Sequence, residues 1–538
     1  MSRTRRILGG TGVGYLHQAA IILVGLWLTP FLLHRVGQTE YGLWLVAGQL
    51  LGYLALLDLG VLAILPREIA FAFGQTGIGG ADGRIAGLIA QVRAIVRWQL
   101  PGLALACALV WWFLPAAWAP LRWPLVFVFV AFLALYPLRI ASAALQGIQD
   151  LSYLAKSQMA GWALGTTVTI AMVVAGMGLY AIVLGWIVTL AVPAVATWWR
   201  ARRLWPPPRT AGGAPGAAPA ARQYFHRSIW VSAGQIGQVL LAGSDVLLLG
   251  KILGPTAVVA YACTGKLVTV FANHPQLLMQ AAQPALTELR ASESRERLAG
   301  VATALTQTML MLSGALVLTI LPTNHYFVDA WVGPAQYGGW WLTVAFCGMM
   351  LLRHWNFATV HTLFCFGYER QISLTVLADG VVTIIATVLG GWTWGPIGAP
   401  LGSMLGAVLV SLPLNVRSVA HEMGLSVPAF LRSIAPLPVR IVTIGAATML
   451  ASAWLPSHSL GAVLLLLVPT MLVYAAAVVP LAWNGPIGPY LRSAVPMLER
   501  FARRVAPAPA PMNATTVAAE PAMPVPQDES LFAERRAS

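Results

Sequence analysis

Ser157–Trp199 reads SQMAGWALGTTVTIAMVVAGMGLYAIVLGWIVTLAVPAVATWW and holds no Asp, Glu, Lys or Arg. One helix needs roughly 20 apolar residues to cross the hydrocarbon of a bilayer, so this run predicts two crossings with a short break between them. Ile7–His34, Gly380–Val416 and Ile441–Leu491 are equally free of charge. Backbone groups cannot stay unpaired in lipid, and such runs are too long and too apolar for barrel strands. The expected fold class is an all-α polytopic membrane protein.

The composition agrees. The 538 residues are 58% hydrophobic and 9% charged, whereas a soluble domain carries roughly a quarter charged residues. A net charge of +15 would suggest nucleic acid in a soluble protein. Here the basic residues fall mostly on one side of the membrane, so no nucleic-acid partner is expected. Arg3, Arg5 and Arg6 precede the first apolar run. That run is longer than the apolar region of a signal peptide and lacks a clear cleavage site, so it reads as a retained first helix. Cys107, Cys263, Cys347 and Cys365 lie in apolar segments without metal-ligand spacing and read as packing residues.

Apolar runs set against Gly, Pro and charge breaks predict about fourteen helices of roughly 20 residues or more. They fall at 11–34, 41–65, 92–114, 123–146, 152–176 and 179–199, then at 226–253, 256–281, 299–321, 336–366, 372–390 and 396–416, and last at 436–454 and 460–482. With the N-terminus inside, the cytoplasmic segments collect Arg67, Arg84, Arg93, Lys156, Arg200, Arg202, Arg203, Arg290, Arg370, Arg417 and Arg432, while Arg35, Arg122 and Lys251 lie opposite. That asymmetry follows the positive-inside rule and places both termini in the cytoplasm of a bacterial inner membrane. Trp198 and Trp199, Trp340 and Trp341, and Trp392 and Trp394 sit at predicted helix ends, where amphipathic rings favour the interface.

The domain organisation follows from these spans. Residues 1–199 form one six-helix bundle, and 200–225 are a linker containing the Pro/Gly/Ala stretch Pro206–Ala221. Residues 226–417 form a second six-helix bundle, 418–483 two extra crossings, and 484–538 a cytoplasmic tail, largely disordered by composition. The halves resemble each other. Gly37-Gln38-Thr39, Trp44 and Gly48-Gln49-Leu50 meet Gly254-Pro255-Thr256, Tyr261 and Gly265-Lys266-Leu267 at a shift of 217 residues (37 to 254), which also carries Gly178, Ala181 and Gly185 onto Gly395, Gly398 and Gly402. Six helices per half make the repeats parallel, with a substrate site expected between them near the midplane. Gly48/Gly52, Gly161/Gly165 and Gly402/Gly406 are small-xxx-small pairs suited to close helix packing.

The stretch Leu28–Ala70, LTPFLLHRVGQTEYGLWLVAGQLLGYLALLDLGVLAILPREIA, resembles the opening helices of bacterial polysaccharide flippases. The resemblance rests on Thr29-Pro30, Gly37, Glu40-Tyr41-Gly42-Leu43-Trp44, Leu57-Asp58-Leu59-Gly60 and Arg67, with Asp245, Gly250, Gly254, Tyr261, Pro284 and Leu289 opening the second half in similar style. Those flippases belong to the multidrug/oligosaccharidyl-lipid/polysaccharide exporter superfamily. The resemblance implies two six-helix bundles around a central V-shaped cavity, two further helices, and alternating access. The implied cargo is a lipid-linked oligosaccharide such as an O-antigen or exopolysaccharide unit. Membrane lipids and other polysaccharide-assembly proteins are the further expected partners.

Ionisable residues inside the membrane cost roughly 2.5–3.5 kcal/mol at its centre and are functional candidates by default. Lys266 lies about ten residues from either end of its predicted helix, and Arg353 near the middle of 336–366 with His354 beside it. Guanidinium and ammonium groups pair well with phosphate oxygens, so these three suit a diphosphate or acidic sugar; a structural ion pair with an Asp is the bland alternative. Arg139 and Asp58 lie nearer cytoplasmic helix ends and serve equally as substrate contacts or as a snorkelling or structural pair. Asp245 and Asp379 stand 9 and 11 residues in from Gly254 and Gly390, a difference in depth of about 3 Å. Thr375, Thr383 and Ser403 could add oxygen ligands. In the related lipid II flippases a sodium site uses carboxylates on helices 7 and 11. Asp245 and Asp379 look like those positions, and Thr375 stands where an amide ligand is expected, leaving Na+ and H+ both open as the coupling ion. No other cofactor and no metal site is expected.

No enzyme signature survives. His421-Glu422 lacks the second His of a zinc helix, Gly9, Gly10, Gly12 and Gly14 follow no strand, and no catalytic residue is expected. The leading expectation is a polyprenyl-diphosphate-oligosaccharide flippase. A multidrug or small-molecule antiporter of the same fold, a membrane glycosyltransferase or polymerase, and an uncoupled scramblase are the alternatives.

Overall fold

The computed structural model describes residues 3–55, 82–205, 221–276, 295–452 and 459–486, with single positions between them. Asp58, the linker at 206–220 and the tail beyond 488 lie outside the described residues. The first half comprises α1 (Arg3–Arg35), α2 (Gln38–Ala55), α3 (Asp82–Trp112), α4 (Arg122–Leu135), α5 (Arg139–Gly147), α6 (Leu151–Val174) and α7 (Leu179–Leu204). The second comprises α8 (Ala221–Ile252), α9 (Pro255–Thr264), α10 (Lys266–Phe271), α11 (Arg295–Val332), α12 (Trp340–Cys365), α13 (Glu369–Trp394), α14 (Gly398–Gly406) and α15 (Leu412–Glu422). The chain then adds α16 (Val427–Ile434), α17 (Pro436–Ser452) and α18 (Leu460–Asn484). The described residues are almost all helical.

Among the described residues, eight stretches are long and apolar enough to cross a membrane, and ten if each of two bent pairs counts as one span. One of them, Glu369–Glu422, has 54 residues. A single straight helix of that length would run about 81 Å, against a hydrocarbon core of about 30 Å. It turns at Gly395, and its arms α13 and α14 pack side by side. Three further long helices, α2, α8 and α12, are not among those eight stretches. They carry Gln49, Asp245 and Arg353 respectively, and they wall the site described below.

Several predicted helices change shape in the structure. The stretch predicted at 256–281 breaks at Gly265, where its two arms meet at 54°. A Cβ at Gly265 would stand 2.8 Å from the ring of Phe346, so the close approach of α12 requires glycine there. The helix predicted at 396–416 runs on to Glu422 through a π turn at Ala407–Ser411. The helix predicted at 123–146 is interrupted by a 3-10 turn at Tyr136–Leu138, where Pro137 removes a backbone donor.

The repeat is visible in the backbone. Gly37 and Gly254 turn with φ of 97° and 90°, and Gly178 and Gly395 with φ of 52° and 63°. These left-handed conformations favour glycine because it has no Cβ to clash. The hairpins that follow match in detail: Gly185 of α7 lies against Thr169 of α6, and Gly402 of α14 against Thr387 of α13. Gly161/Gly165 and Gly402/Gly406 sit at these close crossings as predicted, but Gly48/Gly52 do not. Nothing among the described residues approaches the Cβ positions of Gly48 and Gly52, because that face of α2 looks onto open space.

A Cβ at Gly402 would lie 2.6 Å from Thr387 Oγ1 and 2.7 Å from Thr387 N. Gly402→Val therefore pushes α14 off α13 at a cost of about 1–3 kcal/mol. Its thermal midpoint in detergent should fall by several degrees, while Gly48→Ala, with open space before it, should leave the midpoint unchanged or slightly raised. Equal midpoints for wild type and Gly402→Val would show that the crossing is not as tight as described.

Candidate functional site

The two halves meet around a cavity of about 470 Å³. The first half contributes Thr29, Tyr41 and Gln49 from α1 and α2, and the second contributes Asp245, Tyr261, Lys266, Asn273 and Trp331. Thr383, Thr387 and Ser403 form part of its wall from α13 and α14. Its one cation among the described residues is Lys266, and its one carboxylate is Asp245.

Lys266 owes its position to the break at Gly265. It is the first residue of α10, and its ammonium group lies 5.9 Å from the centre of the Trp331 ring. No carboxylate among the described residues is within ion-pair distance of it. The break frees the carbonyl of Thr264 at the end of α9, which a lipid interior would punish. Asn324 Nδ2 satisfies that carbonyl at 3.0 Å and also donates to Thr343 Oγ1 at 2.9 Å, while Gly338 N donates to Thr264 Oγ1 at 2.7 Å. The bend is thus built, with its backbone groups paired.

Asp245 is held locally. Its Oδ2 accepts from the Tyr261 hydroxyl at 2.6 Å and its Oδ1 from Val246 N at 2.8 Å. Tyr261 packs on Phe346 with ring centres 4.9 Å apart.

Arg353 and Asp379 form a bidentate ion pair behind the wall. Arg353 Nη1 donates to Asp379 Oδ2 at 2.6 Å and Nη2 to Oδ1 at 3.0 Å. The guanidinium also donates to Ser403 Oγ at 2.9 Å, Ser403 O at 2.7 Å and Thr383 Oγ1 at 3.2 Å. Thr383 donates to Asp379 Oδ1 at 3.1 Å, and Ser411, inside the π turn, donates to Oδ2. Asp379 is 0% exposed and the Arg353 side chain 20%. Thr383 and Ser403 belong both to this network and to the cavity wall, so they join the two.

The remaining expected residues are dispersed. His354 is buried on another face of α12, with Nδ1 2.6 Å from the Ser313 hydroxyl of α11. Arg139 lines a separate hollow of about 620 Å³ within the first half, its guanidinium 5.8 Å from the Tyr136 ring centre. Thr375 lines a third hollow with Gln371 and Leu414, and its partners differ from those of Asp245. The structure therefore brings together Lys266 and Asp245 in one cavity and Arg353 and Asp379 in one pair. Among the described residues, no cluster of three or more His, Cys, Asp or Glu could hold a metal. Tyr261, Trp331, Asn324 and Ser411 were not among the expected site residues. Tyr261 carried a signal as the repeat partner of Trp44, Trp331 and Asn324 have none beyond being aromatic or polar in an apolar run, and Ser411 depends on the π turn.

One end of the cavity is sealed. There Gln38 Nε2 donates to Gln336 Oε1 at 3.1 Å, Trp118 Nε1 to Gly250 O at 3.3 Å, and Trp331 Nε1 to Leu26 O at 2.5 Å. Leu26 O is four residues before Pro30, whose missing N–H leaves that carbonyl without a helical donor. Gly42 packs directly on Pro255 at the same end. These hydrogen bonds between the halves lie at the end where the 36–37 and 253–254 turns are.

Removing one partner of a buried ion pair leaves an uncompensated charge at a cost of about 3–5 kcal/mol. Arg353→Ala and Asp379→Ala should each lower the thermal midpoint and the yield of monodisperse protein sharply. The double variant Arg353→Met/Asp379→Leu should recover most of the loss. Additive losses in the double variant would mean that the two side chains do not act as a pair.

Residues 125–333 match the sequence family described as polysaccharide biosynthesis protein. No curated protein matches the chain by sequence. Among solved structures, the lipid II flippase MurJ in an inward closed conformation is 11% identical, with 85% of this chain and 98% of that chain covered at a TM-score of 0.50. An inward-facing multidrug resistance MATE family transporter of the MOP superfamily is 14% identical, with 77% and 96% covered at a TM-score of 0.51. A MOP superfamily transporter from Pyrococcus furiosus is 14% identical, with 78% and 95% covered at a TM-score of 0.50. At these identities the likeness is one of fold: the chain is a multi-pass membrane protein with the fold of MOP-superfamily transporters, and part of it matches the polysaccharide biosynthesis family.

Proposed function

We propose that this protein is a flippase that carries a polyprenyl-diphosphate-linked oligosaccharide from the cytoplasmic to the periplasmic leaflet of a bacterial inner membrane. The observation that carries this reading is Lys266, a cation without an ion-pair partner among the described residues, in the wall of a cavity between two halves. An ammonium group in a low-dielectric cavity is suited to a diphosphate and repels a cationic drug. The match to the polysaccharide biosynthesis family over 125–333 supports the same cargo.

On this reading the chain crosses the membrane fourteen times. Two parallel bundles enclose the cavity, α16–α17 and α18 supply the last two crossings, and both termini lie in the cytoplasm. The sealed end is then periplasmic, and this conformation faces inward. The headgroup diphosphate docks at Lys266 while the polyprenyl tail stays in the bilayer. Asp379 neutralises Arg353; when H+ or Na+ takes that carboxylate, Arg353, still held by Ser403 and Thr383 of the cavity wall, is left with an unpaired charge for the substrate. Coupling ion and substrate thereby act on one ion pair, and their differential affinity for the two states biases the exchange between them.

A multidrug or small-molecule cation antiporter is the second reading, and one observation favours it: Asp245 shares the cavity with Lys266. The two readings predict opposite effects of charge removal. A charge-assisted hydrogen bond to phosphate contributes about 1.5–3 kcal/mol, so Lys266→Ala, expressed normally, should lower glycan export about ten- to hundredfold in a strain lacking the protein. Lipid-linked intermediates should accumulate on the cytoplasmic face, and Lys266→Arg should restore part of the export. Export that proceeds with or without the protein would sink the flippase reading. Loss of drug resistance in Asp245→Asn, with export intact, would establish the antiporter.

A further inference from the structure

The C-terminal end of α7 carries an arrangement that the cavity does not use. The guanidinium carbon of Arg202 lies 3.9 Å from the centre of the Trp198 ring, and that of Arg203 lies 4.1 Å from Trp199. Each pair is spaced i, i+4, so the two stacks run side by side along the last turns of the helix. Side chains on a helix lean toward its N-terminus. Each arginine therefore folds back over a ring one turn nearer the apolar part of α7, and does not extend into water as a snorkelling cation does.

Trp199 is 59% exposed and both arginines are exposed, so the stacks face outward from the bundle. Tryptophan favours the headgroup level of a bilayer, and this geometry places two guanidinium groups at that level. The ring takes the face of the guanidinium and leaves its N–H edges free for oxygen acceptors. The surroundings add positive charge. Lys156 is exposed on α6, which packs along α7. The nearby carboxylate Asp150 is already engaged by Arg200 at 3.3 Å. The sequence from 206 to 233 has no Asp or Glu that could neutralise the cluster.

We propose that the Trp198–Arg202 and Trp199–Arg203 stacks bind the phosphodiester headgroups of anionic phospholipids in the leaflet on the linker side of the membrane. Phosphatidylglycerol carries the required net negative charge, and phosphatidylcholine does not. The Arg edges hold phosphate oxygens, and the Trp rings fix the arginines at the depth where those oxygens lie. The site is independent of the cavity and of the proposed cargo.

The test uses the purified full chain, delipidated in detergent, titrated separately with dioleoyl phosphatidylglycerol and dioleoyl phosphatidylcholine. Native mass spectrometry counts bound lipids, and thermal midpoints report stabilisation. Wild type should prefer phosphatidylglycerol. Each Lys or Arg near an anionic surface contributes about 1 kcal/mol, so Arg202→Gln/Arg203→Gln should weaken that preference about ten- to thirtyfold. Trp198→Leu/Trp199→Leu keeps both charges and should still lose several-fold. Arg202→Lys/Arg203→Lys, the variant least disturbing to the helix, should fall between wild type and the Gln pair. Lipid-free midpoints equal to wild type show that each variant is folded. Wild type binding both lipids alike, or either the Gln pair or the Trp pair binding as wild type does, overturns the proposal.

Discussion

In the hydrocarbon of a bilayer no water is at hand, so backbone polar groups must find their partners inside the protein. The break at Gly265 is where this constraint is most visible. A helix interrupted in mid-membrane exposes backbone carbonyls, and the structure answers with Asn324, which binds the Thr264 carbonyl and the Thr343 hydroxyl together. With that repair in place, α10 can begin at Lys266 and point a charge into the cavity. The same logic governs Arg353. Among the described residues, its donors meet Asp379, Thr383 and both the hydroxyl and carbonyl of Ser403, and the carboxylate it faces is further held by Ser411.

The repeat shows how local this investment is. Thr169 against Gly185 in the first half corresponds to Thr387 against Gly402 in the second. One turn along, Gly165 meets Thr189 in the first half, whereas in the second Gly406 meets Thr383, the same contact with glycine and threonine exchanged. A further turn along α6, Gly161 packs on Pro193. The corresponding place on α13 is Asp379. Two hairpins with matching backbones thus differ in chemistry at one level: a close apolar crossing in the first half, an ion pair in the second. The π turn at Ala407–Ser411 sits at that level and brings Ser411 onto the carboxylate.

Much of the fold was legible because the physics that sets it is one-dimensional. Charge-free length locates helices, and each of the fourteen stretches read from the sequence falls wholly or partly on an observed helix. Counting along the helices gives an expected depth for Lys266, Asp245, Arg353 and Asp379. It does not give the way a helix faces. Depth alone left Arg353 with two readings, a substrate contact or an ion pair with an unspecified Asp; that the partner is Asp379 depends on the rotation of α12 and α13 about their axes. For the same reason His354, adjacent to Arg353 in sequence, points to Ser313 instead of the cavity, and Gly48 and Gly52 face open space. The bend at Gly265 was hidden because the groups packed against it and pairing its freed carbonyl, Phe346 and Asn324, lie far away in sequence.

Trp331 links the cavity to its seal. Its ring stands over Lys266, while its indole N–H holds the Leu26 carbonyl that Pro30 leaves without a helical donor. One side chain therefore touches the cation that faces the cavity and bridges the two halves. The other hydrogen bonds across the sealed end are Gln38 to Gln336 and to the Thr256 carbonyl, and Trp118 to Gly250. Each such bond contributes a net of about 0.5–1.5 kcal/mol, so the hydrogen-bonded part of the seal is a few kcal/mol deep. A two-state equilibrium of that depth is within reach of a ligand with differential affinity of the same size. On the proposed reading, a diphosphate that draws the ammonium group off the Trp331 ring acts on a residue that also closes the far end. Substrate binding and the opening of the seal then require no long chain of intermediates, because both converge on a single indole.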